Sequence, residues 1–205
     1  MSGGFIVVLA ILAFAAVTIF KGVRIVPQGY KWIVQRLGKY HTTLNPGLNF
    51  VIPYVDEVAY KVTTKDIVLD IPSQEVITRD NAVLLMNAVA YINITTPVNA
   101  VYGIENYTWA IQNLVQTSLR SIVGEMDLDD ALSSRDHIKA KLKAAISDDI
   151  SDWGITLKTV EIQDIQPSST MQAAMEAQAA AERQRRATVT KKESEKQAAI
   201  LEADG

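Results

Sequence analysis

The sequence predicts an α+β protein with an N-terminal transmembrane helix, a body in two parts and a long C-terminal helix. An uncharged apolar run over residues 5–20 predicts the membrane helix. Strand-like patterns, then two helical patterns and a returning strand over 23–167, predict an α+β body rather than a doubly wound parallel sheet. The stretch 171–204 is rich in alanine and lacks proline and glycine, which predicts the final helix.

Composition and charge narrow the functional classes. Of the 205 residues, 48% are hydrophobic and 21% are charged, which is typical of a folded protein. The chain has no cysteine, which excludes disulfides, thiolate zinc sites, iron–sulfur clusters and cysteine nucleophiles. The formal net charge of −3 is opposite in sign to that of a general nucleic-acid-binding protein, so we expect no nucleic-acid partner.

The sequence contains no motif that is typical of an enzyme or a metal site. His41 and His137 lie in no nucleophilic or metal-binding motif, and the glycines form no phosphate-binding loop. We therefore predict no enzymatic activity, no cofactor and no metal site.

The apolar run predicts a membrane anchor over residues 1–22. As a helix, the sixteen residues Phe5–Phe20 span about 24 Å, and the flanking glycines bring the uncharged length closer to the roughly 30 Å hydrocarbon core. A cleaved signal peptide would have basic residues before the run, and a core helix would not be apolar on every face, so both alternatives are weaker. The predicted anchor side chains are Phe5, Ile6, Leu9, Leu12, Phe14, Val17, Ile19 and Phe20.

The charges after the run predict its orientation. Five basic residues precede the first acidic residue, Asp56, and all lie on the C-terminal side of the run: Lys21, Arg24, Lys31, Arg36 and Lys39. The positive-inside rule therefore predicts a single-pass protein of the plasma (inner) membrane, with its N-terminus outside and its body in the cytosol. Lys21 and Arg24 lie nearest the anchor and are predicted to contact lipid headgroups, whereas the other three also fit exposed strand residues.

The body predicts a β-rich part over 23–96 and an α+β part over 97–168. Strand-like runs cover 31–37, 58–71 and 82–94, with breaks at Pro46-Gly47, Pro53 and Pro72. Asn106 is predicted to cap a helix that ends at Gly124, and a second helix follows from about Ser134 to Trp153. Its predicted apolar stripe consists of Ile138, Leu142, Ala145, Ile146 and Ile150. An alternating strand then runs from Ile155 to the breaker Pro167.

Two local clusters have competing interpretations. Leu48, Phe50, Val51, Ile52, Pro53 and Tyr54 follow a Pro-Gly turn. They predict a loop that enters the membrane interface beside the anchor, with Tyr54 at headgroup depth, although an ordinary core strand that ends at Pro53 also fits. The acidic cluster over 125–136 lacks the ligand order of a calcium loop and predicts carboxylates at helix N-termini, with Ser133 and Ser134 as capping residues.

The segment 169–205 predicts a helix of about 50 Å that has few large apolar side chains. Such a helix has no core of its own, so we expect it to pack against identical copies, although a solvated helix is the alternative. The residues predicted to contact other copies are Glu176, Glu182, Arg183, Arg185 and Arg186. Glu182 and Arg186 can also pair within one helix, at a spacing of four residues.

Six stretches of the sequence resemble the stomatin/prohibitin domain, also called the SPFH or band 7 domain. They cover 26–40, 46–58, 70–81, 114–138, 151–165 and 171–187, and their order and spacing agree over roughly residues 23–187. Within the family the likeness is greatest to bacterial stomatin-like membrane proteins of the QmcA or paraslipin type.

The resemblance implies a fold and a function. Residues 23–96 and 97–168 would be the SPFH1 and SPFH2 subdomains, and 169–205 would begin a coiled-coil-like helix that packs laterally in a large membrane-bound ring or cage. Such a homo-oligomer would be a scaffold that organises a membrane microdomain and segregates or regulates membrane proteins and proteases. The expected partners are other copies of the chain, membrane lipids, and an NfeD-type membrane protein or an AAA membrane protease. The alternative is a low-copy adaptor or regulatory subunit of one such partner.

Overall fold

The chain folds into antiparallel sheets and packed helices between two terminal helices. The computed structural model describes the backbone of residues 3–203 and the side chains of residues 4–196. Over these residues the elements are α1 (Gly3–Gly22), β1 (Val23–Val26), β2 (Tyr30–Arg36), β3 (Lys39–Leu44), β4 (Gly47–Phe50), β5 (Asp56–Thr63), β6 (Ile67–Ile77), β7 (Val83–Ile94), α2 (Pro97–Tyr102), α3 (Tyr107–Gly124), α4 (Leu128–Ser133), α5 (Arg135–Asp152), β8 (Ile155–Pro167) and α6 (Ser169–Ala203). The predicted α+β class with terminal helices is confirmed; residues 204 and 205 of the predicted last helix lie outside the described range.

Two small sheets form the first part of the body. Strands β1 and β4 make a two-stranded ribbon, and a second sheet has the order β3-β2-β5. Val26, Val34 and Leu44 form a smaller core between them. The neighbouring residue Ile33 belongs instead to the larger core of the protein, and the β2–β5 register shifts between Ile33 and Val34. Both residues are fully buried because the middle sheet is covered on both faces.

The larger core lies between a third sheet and two helices. This sheet has the order β6-β7-β8, and α3 and α5 pack against it and against each other. Alternate residues of β7 point inward and are buried: Leu84, Met86, Ala88, Ala90, Ile92 and Ile94. Since β8 pairs with β7 along its length, this sheet joins strands from both predicted subdomains, and the division at residue 96 stays a prediction.

Two predicted strand boundaries are wrong. The run 58–71 is not one strand, because the chain turns between β5 and β6. Pro72 does not end a strand: β6 continues through it, and its register with β7 shifts between Ile71 and Gln74. Since β6 is an edge strand and Pro72 lies in this bulge, the missing N–H removes no ladder hydrogen bond.

The helices largely follow the predicted periodicity. Asn106 caps α3 as predicted, since its Oδ1 accepts a hydrogen bond from the N–H of Trp109 at 3.0 Å. The buried stripe of α5 consists of Ile138, Leu142, Ile146 and Ile150, whereas Ala145 is exposed, contrary to the prediction. Strict four-residue spacing turns the stripe progressively around the helix and away from Ala145. The short helices α2 and α4 lie outside the predicted elements, because six residues are too few to show a period.

The acidic cluster lies at helix starts, as predicted, but the serine caps are wrong. Asp129 and Asp130 occupy the first turn of α4, and Asp136 occupies the first turn of α5. Ser134 stands at the N-cap position of α5 without a side-chain capping bond. Ser133 instead donates its hydroxyl hydrogen to a carbonyl oxygen of the preceding turn, at 2.7 Å.

Candidate membrane interface

The first helix has the length and composition of a membrane span. Its 20 residues extend over about 30 Å, which matches the hydrocarbon thickness of a bilayer. The mean hydropathy over Gly4–Gly22 is 2.5. The predicted anchor side chains are each at least half exposed, so this is not a buried core helix of the described chain. They are Phe5, Ile6, Leu9, Leu12, Phe14, Val17, Ile19 and Phe20.

The end of α1 is joined directly to the predicted interface loop. The N–H of Val51 donates a hydrogen bond to the carbonyl oxygen of Gly22 at 2.8 Å. A Cβ atom on Gly22 would lie 2.8 Å from the carbonyl oxygen of Val51 and 3.5 Å from Cδ of Pro53. This close approach requires glycine. It holds the loop beside the last turn of α1.

The β1–β4 ribbon presents apolar side chains outward. Ile25 pairs with Leu48 and Val23 pairs with Phe50 in the antiparallel register, so these side chains share one face. Along the chain, Phe50 is followed by the exposed residues Ile52 and Tyr54. We call the exposed set the apolar face; each member is more than half exposed. It consists of Ile25, Leu48, Phe50, Ile52 and Tyr54.

The predicted loop residues therefore divide into two groups. Leu48, Phe50, Ile52 and Tyr54 belong to the apolar face, while Val51 and Pro53 are partly buried. Val51 packs against the smaller core. In this loop exposed residues alternate with partly buried ones, whereas every residue of an ordinary core strand would be buried. Whether the exposed residues enter a bilayer stays a prediction.

The two predicted headgroup residues line a cleft beside the loop. The cleft has a volume of about 510 Å³, and its walls include Phe20, Lys21, Arg24 and Tyr54. The Lys21 Nζ atom lies 5.7 Å from the centroid of the Tyr54 ring. Tyr54 has a φ of +70°, in the left-handed region that non-glycine residues seldom adopt.

A partly buried ion pair fixes the far side of this loop. Arg36 Nε lies 2.6 Å from Asp56 Oδ1, and Arg36 Nη2 donates to Asp56 Oδ2 at 3.0 Å. The N–H of Ile52 donates to the same Oδ2 atom at 2.8 Å. The Asp56 side chain is 3% exposed, and the hydrogen bond from Arg36 lowers its pKa to about 2. Because Arg36 pairs with Asp56, we interpret it as a residue of strand β2 rather than as a contact to lipid headgroups.

Two exposed apolar residues near this surface are not among the predicted ones. Ile25 joins the apolar face only through its register with Leu48, which no local pattern reveals. Leu37 is 84% exposed and lies with Gly38 in the two-residue β2–β3 turn, where their φ angles are +49° and +81°. Its N–H donates to the Val55 carbonyl oxygen at 3.4 Å, so this turn lies beside the loop. A leucine where such turns favour Asn, Asp or Gly is the signal that would have found it.

The predicted oligomer contacts lie on a helix that extends away from the body. Every side chain of α6 from residue 180 to residue 196 is exposed. The predicted pair within the helix is present, with Arg186 Nη2 at 2.6 Å from Glu182 Oε1. Glu176 and Arg183 line a second cleft, of about 510 Å³, between the start of α6 and the end of β8. Arg185 is exposed as well, and contacts between copies stay a prediction for all five residues.

One residue of the acidic cluster, Asp127, helps to join the β6–β7 turn to the start of α4. Asp127 is held by Arg79, whose Nε lies 2.9 Å from Oδ1. Asp80 Oδ1 accepts hydrogen bonds from the hydroxyl of Thr78 and from the N–H of Leu128, which joins the β6–β7 turn to the start of α4. The Thr78 bond lowers the pKa of Asp80. Among the side chains of residues 4–196, no three acidic or histidine side chains are grouped as a metal site would require.

Comparison with known proteins assigns the family. The model of the SPFH domain / Band 7 family matches residues 24–198. Stomatin homologues of Pyrococcus abyssi and Pyrococcus horikoshii are each 40% identical over 195 residues, which cover 95% of this chain and 72% and 73% of theirs. Human mitochondrial stomatin-like protein 2 is 38% identical over 175 residues, which cover 85% of this chain and 49% of the human protein.

The chain spans about half the length of some of these relatives, including a Mycobacterium tuberculosis protein at 49%. The match nevertheless extends from the first strand after the apolar helix, through all three sheets of the body, into α6. It covers the predicted stretches that resembled this family. The chain therefore belongs to the SPFH/band 7 family and is related to the stomatins.

Proposed function

We propose that this protein is a membrane-anchored scaffold without catalytic activity, whose copies assemble into a large ring or cage. The observation that carries the proposal is that apolar surface and exposed helix lie in different parts of the chain. An apolar helix and an apolar face lie at the start of the body, and a long exposed helix leaves its end. This arrangement suits a protein that holds a bilayer with one part and its own copies with another.

The membrane part of the proposal rests on α1 and its surroundings. A helix of 20 residues crosses the hydrocarbon core once, and the basic residues after it favour a cytosolic body at the plasma (inner) membrane. The apolar face follows the end of this helix, so it would meet the same leaflet. Because Gly22 and Val51 are hydrogen-bonded, the depth of the loop would be set by the anchor.

The assembly part rests on α6. A helix of 35 residues with exposed side chains gains its packing from neighbours, and copies of the same helix supply matching surfaces. The exposed Arg186–Glu182 pair contributes about 0.3–0.5 kcal/mol, which is weak enough to exchange for pairs with a neighbouring copy. Many such weak lateral contacts add through multivalency.

A closed assembly of this kind would organise a membrane microdomain. Membrane proteins and proteases inside the enclosed patch would be segregated from those outside. On the family resemblance, we propose an NfeD-type membrane protein or an AAA membrane protease as a partner. A low-copy adaptor that binds one such partner through its body is the competing function.

Particle size tests this proposal. Full-length protein is extracted from membranes in several mild detergents and its size is measured by electron microscopy and light scattering. We expect closed particles of many copies, and smaller particles for the R185E/R186E variant. The R185K/R186K variant keeps the charges and should assemble normally. Monomers or small oligomers of the natural protein in every detergent would contradict the scaffold and favour the adaptor. Unchanged assembly of R185E/R186E would contradict the proposed arginine contacts.

A further inference from the structure

We infer that the cleft at the end of α1 is a binding site for the phosphate-bearing headgroup of an anionic phospholipid. Lys21 and Arg24 are the phosphate-binding cations of this site. The inference rests on the proposed membrane anchoring and deepens it. It replaces a diffuse attraction of positive charges to the bilayer by a defined site with one lipid class as its ligand.

The cleft has the size and the lining of a headgroup site. Its volume of about 510 Å³ falls in the range of roughly 300–1,000 Å³ that is usual for small-molecule sites. A free phosphate ion would fill a small part of it. Phe20 and Pro53 add apolar walls to the two cations, so that the cleft suits a ligand with a charged end and an apolar end.

Lys21 and Arg24 form no ion pair with the side chains of residues 4–196. Among the side chains described, no carboxylate lies within 4.0 Å of the charged group of Lys21 or Arg24. Asp56 also lines the cleft, but its two oxygens are taken by Arg36 and by the N–H of Ile52. Two basic side chains therefore remain for an external anion.

The position of the cleft selects a lipid among phosphate-containing ligands. Lys21 lies in the last turn of α1, where a helix of this length reaches the headgroup layer. Tyr54 stands beside it, and tyrosine favours the same depth because its ring is apolar and its hydroxyl is polar. The C-terminal dipole of α1 would by itself explain a lysine at this turn, but it explains neither Arg24 in the first strand nor the cleft between them.

The walls of the cleft are held in place before any ligand binds. The Gly22–Val51 hydrogen bond fixes one side of the loop, and the Arg36–Asp56 pair fixes the other. Between them, Tyr54 is kept in a left-handed conformation with its side chain largely exposed. An unfavourable conformation that the surrounding structure enforces is typical of binding sites.

Lipid retention measured by native mass spectrometry tests the site. Full-length protein is purified in detergent with equal amounts of phosphatidylglycerol and phosphatidylcholine, and the copies of each lipid bound per protomer are counted. We expect a preference for phosphatidylglycerol that falls about fivefold for each charge removed, and thus about twenty-five-fold in K21Q/R24Q. The matched control K158Q/K192Q removes two exposed charges outside the cleft and should keep the preference.

The outcomes separate this inference from the proposed function. An equal loss of preference in both double variants, or no loss in K21Q/R24Q, would overturn the site and leave diffuse attraction. Inorganic phosphate at low millimolar concentration should leave phosphatidylglycerol bound, and displacement of this lipid would reassign the cleft to a free anion.

Alkaline extraction of membranes that contain the same variants measures anchoring separately from lipid preference. Extraction of the natural protein would refute the anchor and the headgroup site together, whereas an integral protein without lipid preference would refute the site alone.

Discussion

Replacement of Asp56 by asparagine should destabilise the body by an amount that depends on pH. The Asp56 carboxylate is 3% exposed and accepts two hydrogen bonds from Arg36, whose side chain is 35% exposed. Its pKa is about 2 in the folded protein, against an ordinary value of 3.8. Because the folded pKa is the lower one, the carboxylate stabilises the fold at pH values above 3.8, and this stabilisation is lost as the pH falls towards 2.

The difference between the two pKa values sets the magnitude. At about 1.36 kcal/mol per pKa unit, the fall from 3.8 to about 2 corresponds to about 2 kcal/mol at neutral pH. With the same two values, about 1 kcal/mol of this stabilisation remains at pH 3, and most of it is lost at pH 2. The D56N variant should therefore be about 2 kcal/mol less stable than the natural protein at pH 7 and nearly equal to it at pH 2.

Equilibrium unfolding in detergent by guanidinium, followed by tryptophan fluorescence, measures this difference. Trp32 packs against the smaller core and reports on the region of the pair. The matched control is D127N, which breaks a similar pair with Arg79 at side-chain exposures of 41% and 64%. Exposed pairs contribute about 0–1 kcal/mol, so D127N should cost less than D56N. A D56N effect that stays constant between pH 7 and pH 2, or that equals the D127N effect, would refute the reasoning.

Three further substitutions test the packing. Gly154→Ala should cost about 2–4 kcal/mol in unfolding free energy, because Gly154 has a φ of +68° and a Cβ atom would lie 2.4 Å from the Thr96 carbonyl oxygen; a neutral effect would contradict this. Leu142→Ala should cost about 2–5 kcal/mol in the same assay, since Leu142 is fully buried, and a smaller loss would mean that the core collapses around the gap. Gly22→Val should release the loop from α1 and accelerate hydrogen exchange of the Val51 amide, and unchanged protection would contradict the role of this contact.

The elements that were predictable from the sequence are those with a local cause. The cap at Asn106 and the alternating strand β8 each follow from residues within a few positions of one another. The turn between β5 and β6 has no such cause. Thr64 N–H donates to the Gly29 carbonyl oxygen at 2.9 Å, and Asn93 Nδ2 donates to the Thr64 carbonyl oxygen and to Asp66. Contacts with distant residues create this turn, and neither glycine nor proline marks it.

The candidate interface was predictable in part for the same reason. The anchor and the nearby cations are consecutive in the chain, and the loop residues follow one another in a second short stretch, so the chemistry of each is visible locally. Ile25 and Leu37 join this surface only through pairing with residues farther along the chain, and the approach of Lys21 to Tyr54 requires the β1–β4 ribbon. Val51 likewise points inward because it packs against the smaller core, which is formed by residues elsewhere in the chain.

The order of the layers connects the proposed membrane contact to the proposed assembly. The middle sheet contributes Val34 to the smaller core and Ile33 to the larger one, so the ribbon beside the anchor is packed continuously onto the rest of the body. At the other end, Ser168 is buried, its N–H donates to the Val83 carbonyl oxygen at 2.9 Å, and its Oγ accepts from the Met171 N–H. These bonds and the packing of Met171 against the larger core fix the first turn of α6. A helix fixed at its base to a body that is itself fixed to the anchor would leave every copy at the same angle to the membrane. A common angle is the geometric condition for exposed helices of identical copies to pack side by side into a wall.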